Sequence, residues 1–344
     1  MKFKKILLLS ITALMLVNTI TPAYAMGDSK SKIIVKNEVT LSAVPYLLDD
    51  QVMIPVRSFA KSQGYTVVWN GKDKTDTISK DGKVLYKVLL GSDKAILKGK
   101  IYKLNSPVEK KDGRIFVDAE FLNLAHGVTI DRNSFDIMQY NYKFYKGTGG
   151  FEAIFSDYNY DQSGNYEIYE MKSAYKQIPV AGKESMGLYL ASHNRSDDVF
   201  MGYVKEINGL VPNKEYALNI QFQLATNAES GGFGIGGSPS ASVYVKSGAS
   251  TIKPESILDE KAGIYRMNID TGVQSQGGED MQVIGDVGKP EGSSVTGFEY
   301  KPMKAAVMAA ADENGCVYLI IGTDSGYEGF TEYYIDNVTI SLTK

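Results

Sequence analysis

The sequence has 344 residues and a single cysteine, Cys316, so it cannot form an intrachain disulfide. Small secreted proteins often depend on disulfides, and stability must here come from ordinary hydrophobic cores. Cys316 stands in the apolar run CVYLII, which predicts a buried, unreactive thiol. The two histidines, His126 and His193, are too few for a copper site with three imidazole ligands.

Long hydrophobic runs are also scarce, since only ILLLSITALMLVNTI (residues 6–20) reaches 15 residues. It follows a basic start with Lys2, Lys4 and Lys5 and precedes Ala23-Tyr24-Ala25, which predicts a secretory signal peptide over residues 1–25. A membrane span needs about 20 apolar residues. We therefore expect a secreted, extracellular protein with no transmembrane segment in the mature chain. Attachment of the secreted protein to the cell wall is compatible with this expectation.

Charge is distributed unevenly along the chain. Residues 26–150 contain 20 Lys/Arg and 14 Asp/Glu, whereas residues 151–344 contain 14 and 26. The opposite signs predict two domains. The acidic half would repel phosphates, so we expect no nucleic-acid partner, whereas the basic half has the charge to contact an anionic cell wall.

An internal repeat lies within residues 38–138. VMIPVRSFAKSQGYTVVWN (residues 52–70) aligns without gaps with IFVDAEFLNLAHGVTIDRN (residues 115–133). Each unit has the pattern of a hairpin turn, a strand, a short helix, a glycine that ends the helix and another strand. Between them, KVLYKVLLGSDKAILKGKIYKL alternates in polarity and predicts hairpin strands that turn at Gly91 and Gly99.

The first unit resembles the copper amine oxidase N-terminal-like domain of secreted Gram-positive bacterial proteins. The resemblance is carried by Ile54-Pro55-Val56-Arg57, by GYTVVWN (residues 64–70), by Gly91-Ser92 and by Lys98-Gly99-Lys100. In the second unit, Asp118-Ala119-Glu120 replaces the Pro-x-Arg pattern and Arg132 replaces the tryptophan. The family module is an appended surface domain without copper or quinone, so the resemblance implies no oxidase activity.

Arg57 and Trp69 have two interpretations. As functional residues they would clamp an anion and stack on a sugar. We favour a structural interpretation, in which Arg57 pairs with a carboxylate at the helix start and Trp69 packs beside it.

Beyond KGTGG (residues 146–150), short alternating stretches separated by glycine- and asparagine-rich turns predict an antiparallel sandwich or jelly roll. YYIDNVTISL resembles the final strand of carbohydrate-binding jelly rolls, and HNRSDD, GIGGSPSASVYVKSGAS and GTDSGYEG resemble segments of exported bacterial domains. The predicted fold class is mostly β, with a small α+β repeat domain of two strand-helix-strand units before an antiparallel β-sandwich or jelly roll. The predicted divisions are a signal peptide at 1–25, a linker at 26–37, the repeat domain at 38–140, a linker at 141–150 and the sandwich at 151–344.

SDYNYD (residues 156–161) supports three interpretations. It resembles the motif whose tyrosine becomes the quinone of copper amine oxidases, but two histidines exclude that copper site. Asp157, Asn159 and Asp161 alternate as calcium ligands do, although Gln162 and Ile168 exclude an EF-hand. A structural calcium ion held by these residues with Asp336 remains open, and so does a plain strand with Tyr158 and Tyr160 on one face.

Two other motifs suggest chemistry. GGFGIGG matches a dinucleotide fingerprint in its glycine spacing, but Pro239 and a strand follow it where a helix is needed, which favours a turn. HNRSDD (residues 193–198) contains the residue types of a hydrolase triad. Adjacent residues rarely form a triad, and no G-x-S-x-G elbow occurs, so a loop with an internally bonded turn is favoured, with a ligand- or cation-binding loop as the alternative.

We therefore predict a non-enzymatic surface protein whose sandwich binds an extracellular or cell-wall glycan or a surface protein. No catalytic residue, and no cofactor besides calcium, is assigned. The predicted ligand-binding residues are His193, Asn194, Asp197, Asp198, Tyr158 and Tyr160. The alternatives are a polysaccharide or cell-wall hydrolase with paired acids such as Asp197 and Glu170, and a purely structural surface protein.

Overall fold

The computed structural model describes residues 41–130, 138–161 and 166–343. The chain forms two compact units that divide between Ile137 and Met138. The predicted signal peptide (1–25) and first linker (26–37) lie outside the described residues. Within the described residues, no helix has the length and apolar character needed to cross a membrane.

The N-terminal unit consists of short strands and two helices. Its elements are β1 (Tyr46–Leu48), β2 (Gln51–Pro55), α1 (Val56–Ser62), β3 (Thr66–Asn70), β4 (Thr75–Lys80), β5 (Lys83–Leu89), β6 (Lys94–Leu97), β7 (Lys100–Lys103), β8 (Glu109–Lys111), β9 (Arg114–Asp118) and α2 (Ala119–His126). Strands β3 to β7 form one antiparallel sheet in chain order, and β1, β2, β9 and β8 pair antiparallel in that order.

The predicted repeat is present in this unit. Asp118 begins α2, where its Oδ1 accepts a hydrogen bond from the Phe121 amide at 2.8 Å. Gly127 ends α2 with φ at 64°, in the left-handed region that favours glycine. The hairpin strands predicted around Gly91 and Gly99 are confirmed as β5, β6 and β7. The last strand predicted for the second unit is absent from residues 128–130, and the rest of that segment lies outside the described residues.

The core of this unit lies between its helices and its sheets. Both helices contribute aromatic side chains, Phe59 from α1 and Phe121 from α2, which pack with buried Ile78 and Tyr86. His126 stands beside Tyr86, with Nε2 3.2 Å from the tyrosine hydroxyl, and burial lowers its pKa to about 4. His126 is therefore a neutral core residue.

The C-terminal unit is built almost entirely from strands. They are β10 (Gln139–Tyr142), β11 (Glu152–Ser156), β12 (Tyr158–Asn159), β13 (Lys172–Gln177), β14 (Met186–His193), β15 (Val199–Ile207), β16 (Glu215–Thr226), β17 (Val243–Ser250), β18 (Ser256–Asp259), β19 (Ile264–Met267), β20 (Met281–Asp286), β21 (Glu299–Ala310), β22 (Val317–Ser325) and β23 (Phe330–Thr343), with a short 3₁₀ helix at Tyr166–Tyr169.

Two antiparallel sheets pack face to face in this unit. Sheet I has the order β13-β14-β23-β16-β21, with β10 also paired to β23, and sheet II has the order β11-β15-β22-β17-β20. From β14 to β17 and from β20 to β23, successive strands alternate between the sheets, as in a jelly roll. Tyr333 of sheet I donates a hydrogen bond to the Met201 carbonyl of sheet II at 3.0 Å. The predicted fold class is confirmed.

The start of this unit differs from the predicted boundaries. Tyr140 and Tyr142 of β10 are buried, and β10 pairs with β23 across residues 338–341. Residues 139–142 therefore belong to the C-terminal unit, although the sequence placed them in the repeat domain and the 141–150 linker. A tyrosine-rich stretch with alternating polar residues can form a strand wherever a partner strand is available, and here the partner is nearly 200 residues away along the chain.

Candidate functional site

The structure brings SDYNYD and HNRSDD together. Strands β12, β19 and β18 form a small third sheet, and the loop after β14 lies beside its first strand. Ser196 Oγ donates a hydrogen bond to the Asp157 carbonyl at 2.9 Å. SDYNYD and HNRSDD thus form one surface of the C-terminal unit.

Tyrosines form the apolar part of this surface. Tyr158 pairs with Tyr265 across the small sheet, and their rings stack with centroids 4.9 Å apart at an interplanar angle of 22°. Tyr160 meets the edge of Tyr265 at 6.1 Å and is 41% exposed. Tyr158 and Tyr160 both contact Tyr265, as expected for a strand with its tyrosines on one face. The sequence did not single out Tyr265, because nothing local relates it to residues 156–161.

Charged side chains border the tyrosines. His193 Nδ1 lies 3.2 Å from Glu170 Oε1 and equally far from an Arg195 guanidinium nitrogen. One Nδ1 cannot donate to the carboxylate and accept from the guanidinium at once, so the imidazole hydrogen-bonds through Nδ1 with one of the two at a time. Arg266 lies 3.7 Å from Asp157 on the small sheet. Hydrogen-bonding groups of both signs therefore surround the aromatic rings.

Two predicted ligand residues of the HNRSDD loop have other roles. Asn194 is buried; its Nδ2 donates to the Ser325 carbonyl at 2.7 Å and its Oδ1 accepts from the Ser196 amide. Its polar groups are therefore occupied by the fold, and the prediction of a ligand role for it is wrong. Asp197 has an exposed side chain and φ at 71°, and its carbonyl accepts a hydrogen bond from Gln274. Of these two residues, only Asp197 presents its side chain to solvent.

Three carboxyl groups gather beneath the loop around one buried cation. Lys246 has a fully buried side chain, and its Nζ donates to Asp324 Oδ2 at 2.7 Å and to the Thr271 carbonyl at 2.9 Å. Asp157 and Asp198 complete the group. We call these four residues the carboxyl cluster.

Three carboxyls share two nearby cations, Lys246 and Arg266, and the pKa values of Asp157 and Asp198 are raised. Burial, followed by the hydrogen bond with Asp324 and its charge, raises the pKa of Asp198 to about 8. Burial is also the main cause that raises the pKa of Asp157 to about 6. Asp198 Oδ1 and Asp324 Oδ1 are buried, and among the described residues neither atom accepts a hydrogen bond from an amide, hydroxyl or ammonium group. The proton that Asp198 retains at neutral pH allows the two carboxyls to hydrogen-bond with each other.

The predicted calcium ligands are not assembled. Asp336 lies on β23 in sheet I, where it accepts hydrogen bonds from the Tyr300 hydroxyl and the Asn337 amide. Its neighbours are not those of Asp157, Asn159 and Asp161 on and beside the small sheet. In the described part of the chain, no three His, Cys, Asp or Glu side chains are grouped as a metal site. The structure therefore does not bring the four predicted calcium ligands together, because SDYNYD and β23 belong to different layers.

Two smaller predictions have opposite outcomes. Gly234 and Gly237 bridge each other within GGFGIGG, and a methyl group on Gly236 would overlap the Gly326 carbonyl. The interpretation as a turn that passes close to other backbone is confirmed. Cys316 is half-buried, with Sγ 3.6 Å from Glu206 Oε1, so the prediction of a buried thiol is wrong. It stands at the start of β22, before the buried part of that strand.

Solved structures similar to this chain include carbohydrate-binding proteins. The CBM22-1 xylan-binding domain from Paenibacillus barcinonensis matches with 12% identity and a TM-score of 0.29, over 59% of this chain and 93% of that one. The family 11 carbohydrate-binding module from Clostridium thermocellum, solved with a mixed-linked tetrasaccharide, matches with 12% identity and a TM-score of 0.28, over 59% and 95%. Superpositions with such TM-scores do not establish a common fold.

Another match is a longer enzyme structure. This chain covers 29% of a Clostridium thermocellum xylanase structure with CBM22-1 and GH10 modules, at 14% identity and a TM-score of 0.25.

No curated protein matches the chain. Residues 33–136 match the family model of the copper amine oxidase N-terminal domain, which confirms the resemblance read from Ile54 to Asn70.

Proposed function

We propose that the C-terminal unit is a non-catalytic glycan-binding domain of an exported protein. The observation that carries the proposal is the tyrosine stack of Tyr158 and Tyr265, with Tyr160 exposed at its edge. Aromatic rings offer a rigid apolar face to the C–H face of a sugar, and tyrosine adds a hydroxyl for hydrogen bonding. The predicted signal peptide and the surface-module family of the N-terminal unit support export.

The charged border fits the same ligand class. Arg195, Arg266 and Asp197 are exposed, and they supply donors and an acceptor for sugar hydroxyls on either side of the rings. Neutral sugars suit a surface that presents charges of both signs, since neither sign is in large excess. We therefore expect neutral oligosaccharides to bind at this surface.

A hydrolase has less support from the geometry. Asp197 is exposed, and Glu170 is engaged with His193. Asp198 has the raised pKa of a general acid, but its Oδ1 is buried and its carboxyl interacts with Asp324. The paired-acid alternative needs two carboxyls free to act on one substrate, and Glu170 is already hydrogen-bonded to His193.

The test is a glycan array probed with the full chain, followed by calorimetry on each neutral oligosaccharide that binds. Tyr160→Ala should weaken binding by about tenfold, the upper range for loss of one aromatic contact. Gln221→Ala is the matched control, because Gln221 is exposed on sheet I, away from the small sheet. Binding that survives Tyr160→Ala but is lost in Gln221→Ala would place the site on sheet I. Cleavage of a bound glycan would refute the non-catalytic assignment.

A further inference from the structure

A cleft of about 310 Å³ lies in the N-terminal unit, among α1, the β3–β4 hairpin and the β8–β9 hairpin. Its wall includes Arg57, Trp69, Asp76, Lys110, Arg114 and Ile115. This volume is at the lower end of the range for small-molecule sites. The cleft belongs to a different unit from the tyrosine surface, so an inference about it goes beyond the proposed function.

Cations predominate in the cleft. Arg57, Lys110 and Arg114 face one carboxylate, Asp76, and the Arg57 side chain is 53% exposed although Asp76 is only 2% exposed. The contact between them, from an Arg57 terminal nitrogen to Asp76 Oδ1, is long at 3.5 Å. A guanidinium has five N–H donors, so Asp76 engages a small part of its hydrogen-bonding capacity. The remaining positive charge favours an anionic ligand.

Trp69 supplies an aromatic wall. It is the only tryptophan in the sequence and is 37% exposed, in a strand whose neighbours Val68 and Asn70 are also exposed. The structural interpretation expected Arg57 to pair with a carboxylate at the helix start. The partner is instead Asp76 of β4, and the indole borders the cleft rather than filling the core.

The internal repeat shows that the fold does not require this arrangement. Glu120 occupies in the second unit the position that Arg57 has in the first, and it accepts a hydrogen bond from the Asn105 side chain. The second unit forms the same strand and helix with the opposite charge at that position. The arginine is therefore better explained by a ligand than by the shared scaffold.

We propose that this cleft binds an acidic sugar, a pyranose ring that carries a carboxylate or a phosphate. The ring lies against Trp69, and the anion binds Arg57 together with Arg114 and Lys110. Guanidinium groups bind carboxylates and phosphates through paired, charge-assisted hydrogen bonds. The aromatic wall adds a requirement for the ring, which distinguishes this site from a simple anion site.

The test uses the fluorescence of Trp69, which reports on the cleft directly because the chain contains no other tryptophan. The full chain is titrated with glucuronic acid oligosaccharides, glucose 6-phosphate, glucose oligosaccharides and inorganic phosphate. We expect the glucuronic acid oligosaccharides or glucose 6-phosphate to shift the emission, and the responding probe identifies the anion. Neutral glucose oligosaccharides should leave the emission unchanged, and the affinity should fall as salt is added.

Variants measured by calorimetry test the assigned residues. Trp69→Ala and Arg114→Ala should each weaken binding of the responding probe by about tenfold. Arg57→Ala should weaken binding by a similar factor, but it leaves Asp76 without its partner. If Arg57→Ala misfolds, Arg114→Ala decides the test, because it leaves the Arg57–Asp76 pair intact. Lys83→Ala, an exposed cation on β5 outside the cleft, is the control for loss of one positive charge.

Three outcomes would overturn the proposal. The first is that none of the four probes binds. The second is that inorganic phosphate binds as tightly as the sugars and Trp69→Ala has no effect, which would leave a plain anion site. The third is that glucose oligosaccharides shift the Trp69 emission as strongly as glucuronic acid oligosaccharides do. None of these bears on the tyrosine surface, which is tested with neutral glycans and Tyr160→Ala.

Discussion

Lys246 Nζ lies 2.7 Å from Asp324 Oδ2, and both side chains are almost completely removed from solvent. Lys246 belongs to β17 and Asp324 to the neighbouring strand β22 of sheet II, so the pair is fixed by backbone pairing as well as by charge. Asp157 and Asp198 extend the pair into the carboxyl cluster. This cluster links SDYNYD to HNRSDD in the structure.

Lys246→Met should destabilise the C-terminal unit strongly. The variant keeps the length of the side chain but leaves Asp324 buried without its cation, a loss that typically costs about 3–5 kcal/mol. The free energy of unfolding in denaturant measures it. Adding Asp324→Asn should recover part of the loss, because the unpaired charge is then removed.

Lys301→Met provides the comparison. Lys301 pairs with Asp286 at 2.8 Å, but both side chains are partly exposed. An exposed pair is worth about 1 kcal/mol or less, so this variant should cost much less. Equal costs for the two lysine variants would contradict the assignment of Lys246 as the necessary counter-ion.

The carboxyl cluster should make stability depend on pH. Asp198 has a pKa of about 8 in the folded state against an ordinary pKa of 3.8, so between these values the folded state binds more protons than the unfolded state. The free energy of unfolding contributed by this group therefore falls as pH rises from about 4 to 8. Asp157, with a pKa of about 6, adds a decrease in the lower part of that range.

Asp198→Asn isolates this effect. An asparagine amide can donate to Asp324 as the protonated acid does, and it does not ionise. The melting temperature of the variant should exceed that of the native protein at pH 9 and approach it at pH 5, with about 2–4 °C for each kcal/mol gained in a domain of this size. Parallel melting curves with the same pH dependence would show that Asp198 is ionised throughout.

Gly236→Ala should destabilise the GGFGIGG turn. Gly236 has φ at 73°, and an added methyl group would meet the Gly326 carbonyl. Gly231→Ala is the control, since Gly231 also has positive φ, at 82°, but open space beside it. Gly231→Ala should cost about 1 kcal/mol from backbone strain, and Gly236→Ala clearly more. The unfolding free energies of the two variants decide this, and equal values would refute the close approach.

Calcium should leave the melting temperature unchanged relative to sodium chloride of equal ionic strength. The Lys246 ammonium already supplies a cation to the carboxyls nearest SDYNYD, and a divalent ion placed there would be repelled by it. A rise in melting temperature with calcium that disappears in Asp157→Ala would restore the calcium interpretation. Binding stabilises the folded state by about 2.7 kcal/mol at a hundredfold excess over Kd, so such a rise would be easy to detect.

Local patterns predicted most of the fold. The repeat from Val52 to Asn70 and the turns at Gly91 and Gly99 depend on residues close together in sequence, and all of them appear in the structure. Strand alternation likewise predicted an antiparallel sandwich. The strand β10 was missed, because its role depends on pairing with β23 at the other end of the unit.

The candidate site was predicted only in pieces. Tyr158 and Asp198 were selected from separate motifs, but their proximity depends on Tyr265, Lys246 and Asp324, which stand in unremarkable strands. Asn194 was misassigned because an amide in a polar loop looks the same whether it faces solvent or clamps the backbone. The alignment of the repeat units shows the charge difference between Arg57 and Glu120. The cleft around Arg57 could not be predicted from the sequence, because it forms between α1 and two separate hairpins.

The position of β23 has a consequence for how the C-terminal unit is made. This strand lies between β14 and β16 and also pairs with β10, so the first and last strands of the unit are neighbours. Such pairing gives a high contact order. Chains of high contact order fold slowly, because bringing distant segments together costs chain entropy before their contacts stabilise the fold. Sheet I therefore cannot close until residues 330–343 have left the ribosome. Until then its half-built edges are open to proteases and to pairing with other chains, so the last strand sets the moment at which the unit becomes resistant to both.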